Sequence, residues 1–327
     1  MRSGMCGVRT IVSGEVKARI LGAALGAAML VSCGGVAVAP ATESVRPAAP
    51  SVRYTPIPTE APSPTPSAAN ATPIPSPTAP PDWNAAPNII EEPKALAQQL
   101  TQAERAIRDP NVTGAELTYW GHVEQLAVSA INDNYATWKD QVLVLVPEDV
   151  RKAVAGTIEA GHALRNLKGP TPKTLPDWQI LAPAPIDDLL RFYKEGEQKF
   201  GVPWYYLASI NLIETRMGRI RGVSYAGAQG PMQFMPATWA AYGTGDVNDP
   251  HDAILGAAKY LKANGAPADM QKALYAYNHS QAYVDAIAGY ALVMKDDANA
   301  LRGYHGWQVY YSTIDGTSWL KVGWKKE

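Results

Sequence analysis

Apolar residues recur at three- and four-residue spacing along most of the chain after residue 88, which predicts helices. Leu96, Leu100, Ala103 and Ile107 mark one face of a helix over Pro93–Arg108. The same period predicts helices over Gly114–Asn134 and Pro147–Leu167. Farther on it predicts Asp187–Phe200, Pro203–Met217, Pro236–Tyr242, Pro250–Asn264, Ala268–Asn278 and Gln281–Lys295. Pro203 suits a first helical position, and Asp249-Pro250-His251-Asp252 sets a capping acid before a proline. Near the C-terminus the period changes. Trp307–Thr313 and Ser318–Trp324 are β-rich runs around Ile314-Asp315-Gly316-Thr317, which reads as a hairpin. The fold class is therefore mainly α with a short C-terminal β-hairpin.

Before residue 89 the pattern is of another kind. Arg2, Arg9, Lys17 and Arg19 face a single acid, Glu15, and precede an apolar run from Ile20 to Ser32. This is the layout of a secretory signal. Leu30-Val31-Ser32-Cys33 resembles a bacterial lipobox, which implies cleavage after residue 32 and lipidation of Cys33. The other reading keeps Ile20–Ala39 as a membrane-spanning anchor. Either places the body outside the cytoplasm with the membrane at its base. Residues 33–88 are rich in Pro, Ala and Thr and lack the apolar content to fold. Extended at ~3 Å per residue, ~45 such residues form a semi-stiff tether reaching on the order of 100 Å. The expected division is signal 1–32, tether 33–88, a helical support domain 89–175, a second helical domain 176–300 and the hairpin extension 301–327.

Composition removes several function classes. The 327 residues, 46% of them hydrophobic, are enough for a sizeable core, and a net charge of −1 argues against a nucleic-acid partner. Both cysteines, Cys6 and Cys33, precede the folded part, so neither a disulfide framework nor a cysteine zinc site is expected there. No His-Glu-x-x-His or EF-hand spacing occurs, so no metal and no cofactor is expected. His122 and His162 read as ordinary helical histidines. Tyr and Trp, at 16 and 9, suit sugar faces and half-buried cores alike.

One carboxyl stands out. Glu214 lies near the C-terminal end of the apolar run Leu207-Ala-Ser-Ile-Asn-Leu-Ile-Glu-Thr215. Ionising it there is costly unless it is paired, so it would hold a proton near neutral pH and could protonate a leaving oxygen. A structural carboxylate paired with Arg216 or Arg219 is the equally weighted alternative. Ten residues on comes Ser224-Tyr-Ala-Gly-Ala-Gln-Gly230-Pro-Met-Gln233-Phe-Met-Pro236-Ala-Thr-Trp239, and later Tyr275-Ala-Tyr277-Asn278.

Together these runs resemble the catalytic domain of soluble-type lytic transglycosylases, over about 200–295. The resemblance implies a lysozyme-like fold and a peptidoglycan glycan substrate. It implies Glu214 as sole acid/base, with Thr215 in a position usually held by serine. It further implies substrate contacts from Thr215, Ser224, Gly230, Met232, Gln233, Tyr277, Asn278 and Tyr283. Pro231 departs from the usual leucine and removes a backbone donor.

A hydrolase of this kind generally needs two acids flanking the bond. Asp249 and Asp252 read as caps, Asp269 opens a helix, and Asp246 sits in Gly245-Asp-Val-Asn. A transglycosylase needs only one acid, because the muramyl C6 hydroxyl closes a 1,6-anhydro ring. The alternatives are a hydrolytic muramidase using Asp246, Glu195 or Glu197, and a catalytically silent wall-binding lipoprotein. The Asn278-His-Ser280 sequon is discounted, since a lipobox points to bacteria.

Overall fold

The computed structural model describes residues 82–167 and 169–326. The expected signal, Cys33 and most of the expected tether lie outside them. Four helices come first: α1 (Pro93–Arg108), α2 (Gly114–Asp133), α3 (Tyr135–Leu145) and α4 (Glu148–Arg165). A short strand β1 (Gln179–Ile180) leads to α5 (Ile186–Phe200) and α6 (Trp204–Thr215), and β2 (Ile220–Arg221) pairs back onto β1. Then follow α7 (Pro236–Tyr242), α8 (Pro250–Ala263), α9 (Met270–Tyr277), α10 (Gln281–Asp296) and α11 (Ala300–Gly306). Strands β3 (Val309–Thr313) and β4 (Gly316–Leu320) close the chain as an antiparallel hairpin. The mainly helical class with a C-terminal hairpin is as expected. None of the described helices is long and apolar enough to cross a membrane.

Local signals explain most boundaries. Pro93 opens α1, whose Leu96, Leu100, Ala103 and Ile107 are all buried. Asp249 accepts from the Asp252 amide at 3.0 Å and Asp269 from the Lys272 amide at 2.9 Å, capping α8 and α9. Gly201, at φ 73°, ends α5 in the left-handed region. Helix α6 is apolar on nearly every side and lies inside the main core with Leu189, Ile254, Leu274 and Ile287.

Three features depart from the sequence reading. Helix α3 occupies a stretch with no assignment; its Val142 is buried in a second core with Leu100, Ile131 and Ile158. Helix α11 likewise had no sequence signal. The hairpin turns over Ile314-Asp315, so Gly316 and Thr317 belong to β4 rather than to the loop.

From Trp83 onward the described residues form one compact unit. Small residues bring α4 and α10 together. A Cβ on Gly156 would lie 2.5 Å from Val293 Cγ2, and one on Gly289 would lie 2.7 Å from the Ala160 Cβ. Glycine is what permits this approach. Thr157 and Tyr304 bridge α4 and α11 through their hydroxyls at 2.7 Å. The first four helices thus brace α10, the helix that carries Tyr283.

Candidate active site

Helix α6 delivers Glu214 as its next-to-last residue. The chain then reverses through three left-handed residues, Arg216 (φ 54°), Met217 (φ 60°) and Gly218 (φ 82°). Two are not glycine, and such positions persist only where surroundings hold them. Thr215 supplies part of that hold. It is fully buried, its hydroxyl donates to Pro231 O at 2.6 Å, and it accepts from the Gly218 amide at 3.1 Å. Thr215 therefore braces the loop instead of facing a substrate, contrary to the expectation from sequence.

The loop after Ser224 is clamped from two sides. Asn211 Nδ2 also donates to Pro231 O at 2.9 Å, while Tyr193 donates to Asn211 Oδ1 at 2.7 Å. From α9, the Tyr277 hydroxyl donates to Met232 O at 2.6 Å. Gln229 and Phe234 exchange backbone hydrogen bonds at 2.9 and 2.8 Å, closing a tight turn. Within it Gln233, at φ 50°, donates through Nε2 to Gly230 O at 2.9 Å. Gly230 has φ 73°, and a Cβ there would lie 1.9 Å from Val247 O. Ser224 closes its own small loop, accepting from the Ala228 amide at 3.0 Å. Met232 is fully buried in the main core. Ser224, Gly230 and Met232 thus shape the loop.

Tyr283 meets the acid directly, donating to Glu214 Oε1 at 2.7 Å. The Tyr277 ring lies parallel to it, 6.4 Å away and tilted by 7°. Gln233, Met235, Thr238, Tyr260 and Tyr277 line an adjoining cavity of about 30 Å³. Asn278 is half-buried at the C-terminal end of α9, and its side-chain amide has no hydrogen bond to the described residues. Of the predicted residues, Glu214, Tyr283 and Tyr277 come together, with Gln233 beside Tyr277.

Glu214 is half-buried, so a ligand can reach it, yet protein surrounds the carboxyl closely enough to strip much of its water. Burial pushes it up to about 7, with the Tyr283 hydrogen bond pulling the other way. No charged group among the described residues acts on it. The alternative of a pairing with Arg216 or Arg219 does not hold: Arg216 donates to Leu212 O and Arg219 to His305 O. The other acids are engaged elsewhere. Asp246 accepts from the Asn248 amide and Asp252 from the Asp246 amide. Glu195 pairs with Lys199 and His251, and Glu197 with Lys194. Asp249, His251 and Asp252 place ligand-type atoms within 4.8 Å of one another, but these are the cap and ion-pair groups just described.

Sequence reasoning missed Asn211 and Tyr193, which set the loop against α6. The signal for Asn211 was there: a lone amide inside the apolar run, four residues before Thr215.

Residues 191–291 match the family model described as Transglycosylase SLT domain. The segment is an SLT domain. It runs from within α5 into α10 and includes Glu214, the 224–235 loop, Tyr277, Asn278 and Tyr283. Helices α1–α4, α11 and the hairpin lie outside the match. No solved structure matches the chain. The SLT domain supports transglycosylase-type action on peptidoglycan in the broad sense.

Proposed function

We propose that the SLT domain cleaves the β-1,4 bond between N-acetylmuramic acid and N-acetylglucosamine without water, with Glu214 as the one acid and base. The observation that carries this reading is a reachable carboxyl held near pKa 7, on which no second carboxylate acts among the described residues. A group poised there can give and take a proton at neutral pH.

Protonated Glu214 donates to the glycosidic oxygen as its bond to muramyl C1 breaks, and N-acetylglucosamine leaves with its hydroxyl restored. The Glu214 carboxylate then takes the proton of the muramyl C6 hydroxyl while O6 bonds to C1. The product ends in a 1,6-anhydro ring, no water is consumed, and Glu214 regains its proton. Tyr283 orients the carboxyl and stabilises its ionised form. Asn278, with an amide free of partners among the described residues, is placed to bind the substrate, and the Gln233–Tyr277 cavity to receive part of the sugar.

The envelope setting is part of the proposal: lipidation at Cys33 and a proline-rich tether would hold the enzyme outside the cytoplasm, within reach of the wall.

Digesting purified peptidoglycan and weighing the released muropeptides tests the chemistry. The expected products end in 1,6-anhydro-N-acetylmuramic acid, about one water lighter than reducing ends. Reducing ends would make the enzyme a hydrolytic muramidase. No product from a folded sample would leave a wall-binding lipoprotein.

Tyr283→Phe tests the tuning. Its hydrogen bond lowers the Glu214 pKa, so its loss raises that pKa further above 7. Because the first step needs the protonated acid, the alkaline limb of kcat/KM should move to higher pH. A profile unchanged from wild type would remove Tyr283 from this role.

A further inference from the structure

Two residues past Glu214 the chain buries a second charge, of opposite sign. Arg216 is 6% exposed. Its Nη1 donates to Leu212 O at 2.9 Å and its guanidinium lies 5.6 Å from the Trp307 ring centre. Its Nε is buried with no acceptor among the described residues. No carboxylate among the described residues faces it: burial, the larger effect, pulls its pKa down to about 10, and only the Tyr290 hydroxyl opposes. Glu124 accepts from Trp307 Nε1 at 2.9 Å and forms no ion pair with Arg216. Burial, and after it Glu104, push its pKa well above the usual carboxylate range. Burying a guanidinium without a counter-charge is strongly unfavourable.

Arg216 lines a cavity of about 60 Å³ outside the catalytic cleft, together with Asn132, Ser129, Arg165, Tyr290 and Trp307. Asn132 is 7% exposed and its Oδ1 also lacks a partner. Ser129 and Arg165 are half-buried and form the mouth. Arg165 pairs with Asp133 and reaches Ser129 O and Oγ at 2.9 Å, so its charge is already satisfied. The unsatisfied groups lie deeper. A water centre needs roughly 10–15 Å³. The space therefore fits the few heavy atoms of a carboxylate or phosphate group and is too small for a sugar ring.

We propose that this cavity binds a small oxyanion, a carboxylate or phosphate group seated on the Arg216 guanidinium. Arg216 lines the cavity, and the ligand supplies the charge that the guanidinium lacks. The Asn132 amide presents oxygen as placed and nitrogen after a flip, so it serves either a protonated or a fully ionised group. The anion can be free in solution or be the end of a peptide, and the chemistry at Arg216 is the same for both.

The test uses the full chain labelled with ¹⁵N-arginine, observed through its Nε–H resonances, and needs no glycan. Acetate, inorganic phosphate and acetyl-alanyl-alanine are titrated against chloride at equal ionic strength. One Nε resonance, absent in Arg216→Gln, is expected to shift saturably with at least one probe and not with chloride. Arg216→Gln should weaken binding at least about tenfold, read by the thermal midpoint against added probe. If that variant does not fold, Arg165→Gln at the mouth is expected to weaken the Nε titration severalfold. Saturation by phosphate alone assigns a phosphate group; tighter binding of the dipeptide than of acetate assigns a peptide terminus. No saturable shift with any probe up to about 50 mM overturns the proposal and leaves a hydrated structural cavity.

Discussion

Replacing Glu214 with Gln is expected to lower glycan cleavage by roughly a hundredfold to ten-thousandfold while leaving the fold intact, the range that acid–base catalysis by a positioned side chain contributes. Gln keeps the size of Glu and an acceptor for the Tyr283 hydroxyl, which stands 2.7 Å from Oε1, so the local geometry survives. What disappears is the transferable proton. The same variant has a second signature. In the folded protein Glu214 ionises near 7, against 4.5 for an ordinary glutamate, so the stability that comes from burying its neutral form is complete below about pH 4.5. That stability is lost as pH rises from there through 7. The variant never ionises at this position, so it should gain on wild type by on the order of 1–3 kcal/mol at pH 8 and by nothing at pH 4. Denaturant unfolding of both proteins at the two pH values reads this directly. Cleavage that persists in a folded Gln variant would refute the one-carboxylate mechanism; equal stability differences at both pH values would refute the buried, raised carboxyl.

Gly230→Ala should be the most damaging small change at the site. Two penalties act together. The position is left-handed at φ 73°, and an added Cβ would meet Val247 O at 1.9 Å and Val247 C at 2.9 Å. Both are backbone atoms and cannot rotate aside. The left-handed conformation alone costs roughly 1–2 kcal/mol, and relieving the overlap must move the loop or the 245–249 turn. A total of about 2–4 kcal/mol is expected, which in a body of this size lowers Tm by roughly 5–15 °C. Activity should fall by more than the loss of folded protein explains, because Gly230 O holds Gln233 through both its amide and its side chain. Gly227→Ala is the control. Its φ is 93°, but an added Cβ would meet nothing within 4 Å, so only the conformational part should appear. Equal losses at the two glycines would show that the contact with Val247 carries no weight.

The helices were legible because their signal is local. The stripe on α1 and the aspartate caps of α8 and α9 each lie within one or two turns of sequence. Helix α3 carries no such mark: only Val142 is buried, and Val144 and Leu145 are exposed, so no apolar face declares itself. Its place depends on the second core, made from residues on either side of it.

The site divides in the same way. The order of Glu214, the glycine loop and Tyr277-Asn278 is in the sequence and sufficed to point to the SLT domain, since spacing along the chain is what a motif records. The partner of each group was not. Thr215, Met232 and the Tyr277 hydroxyl turned out to hold the loop, and the useful atom of Pro231 is its carbonyl, which takes two hydrogen bonds. Whether Glu214 pairs with an arginine was open from sequence. The left-handed turn at 216–218 decides it, placing Arg216 against Trp307 while Glu214 meets Tyr283. The sequence by itself determined the helical class and the order of the motifs, because these follow from local periodicity and residue type. Tertiary structure alone decided which hydroxyl touches Glu214, which carbonyls lock the loop and that Arg216 lies against Trp307. Each of those depends on distances between residues 16 to 91 positions apart, and only the packed chain sets such distances.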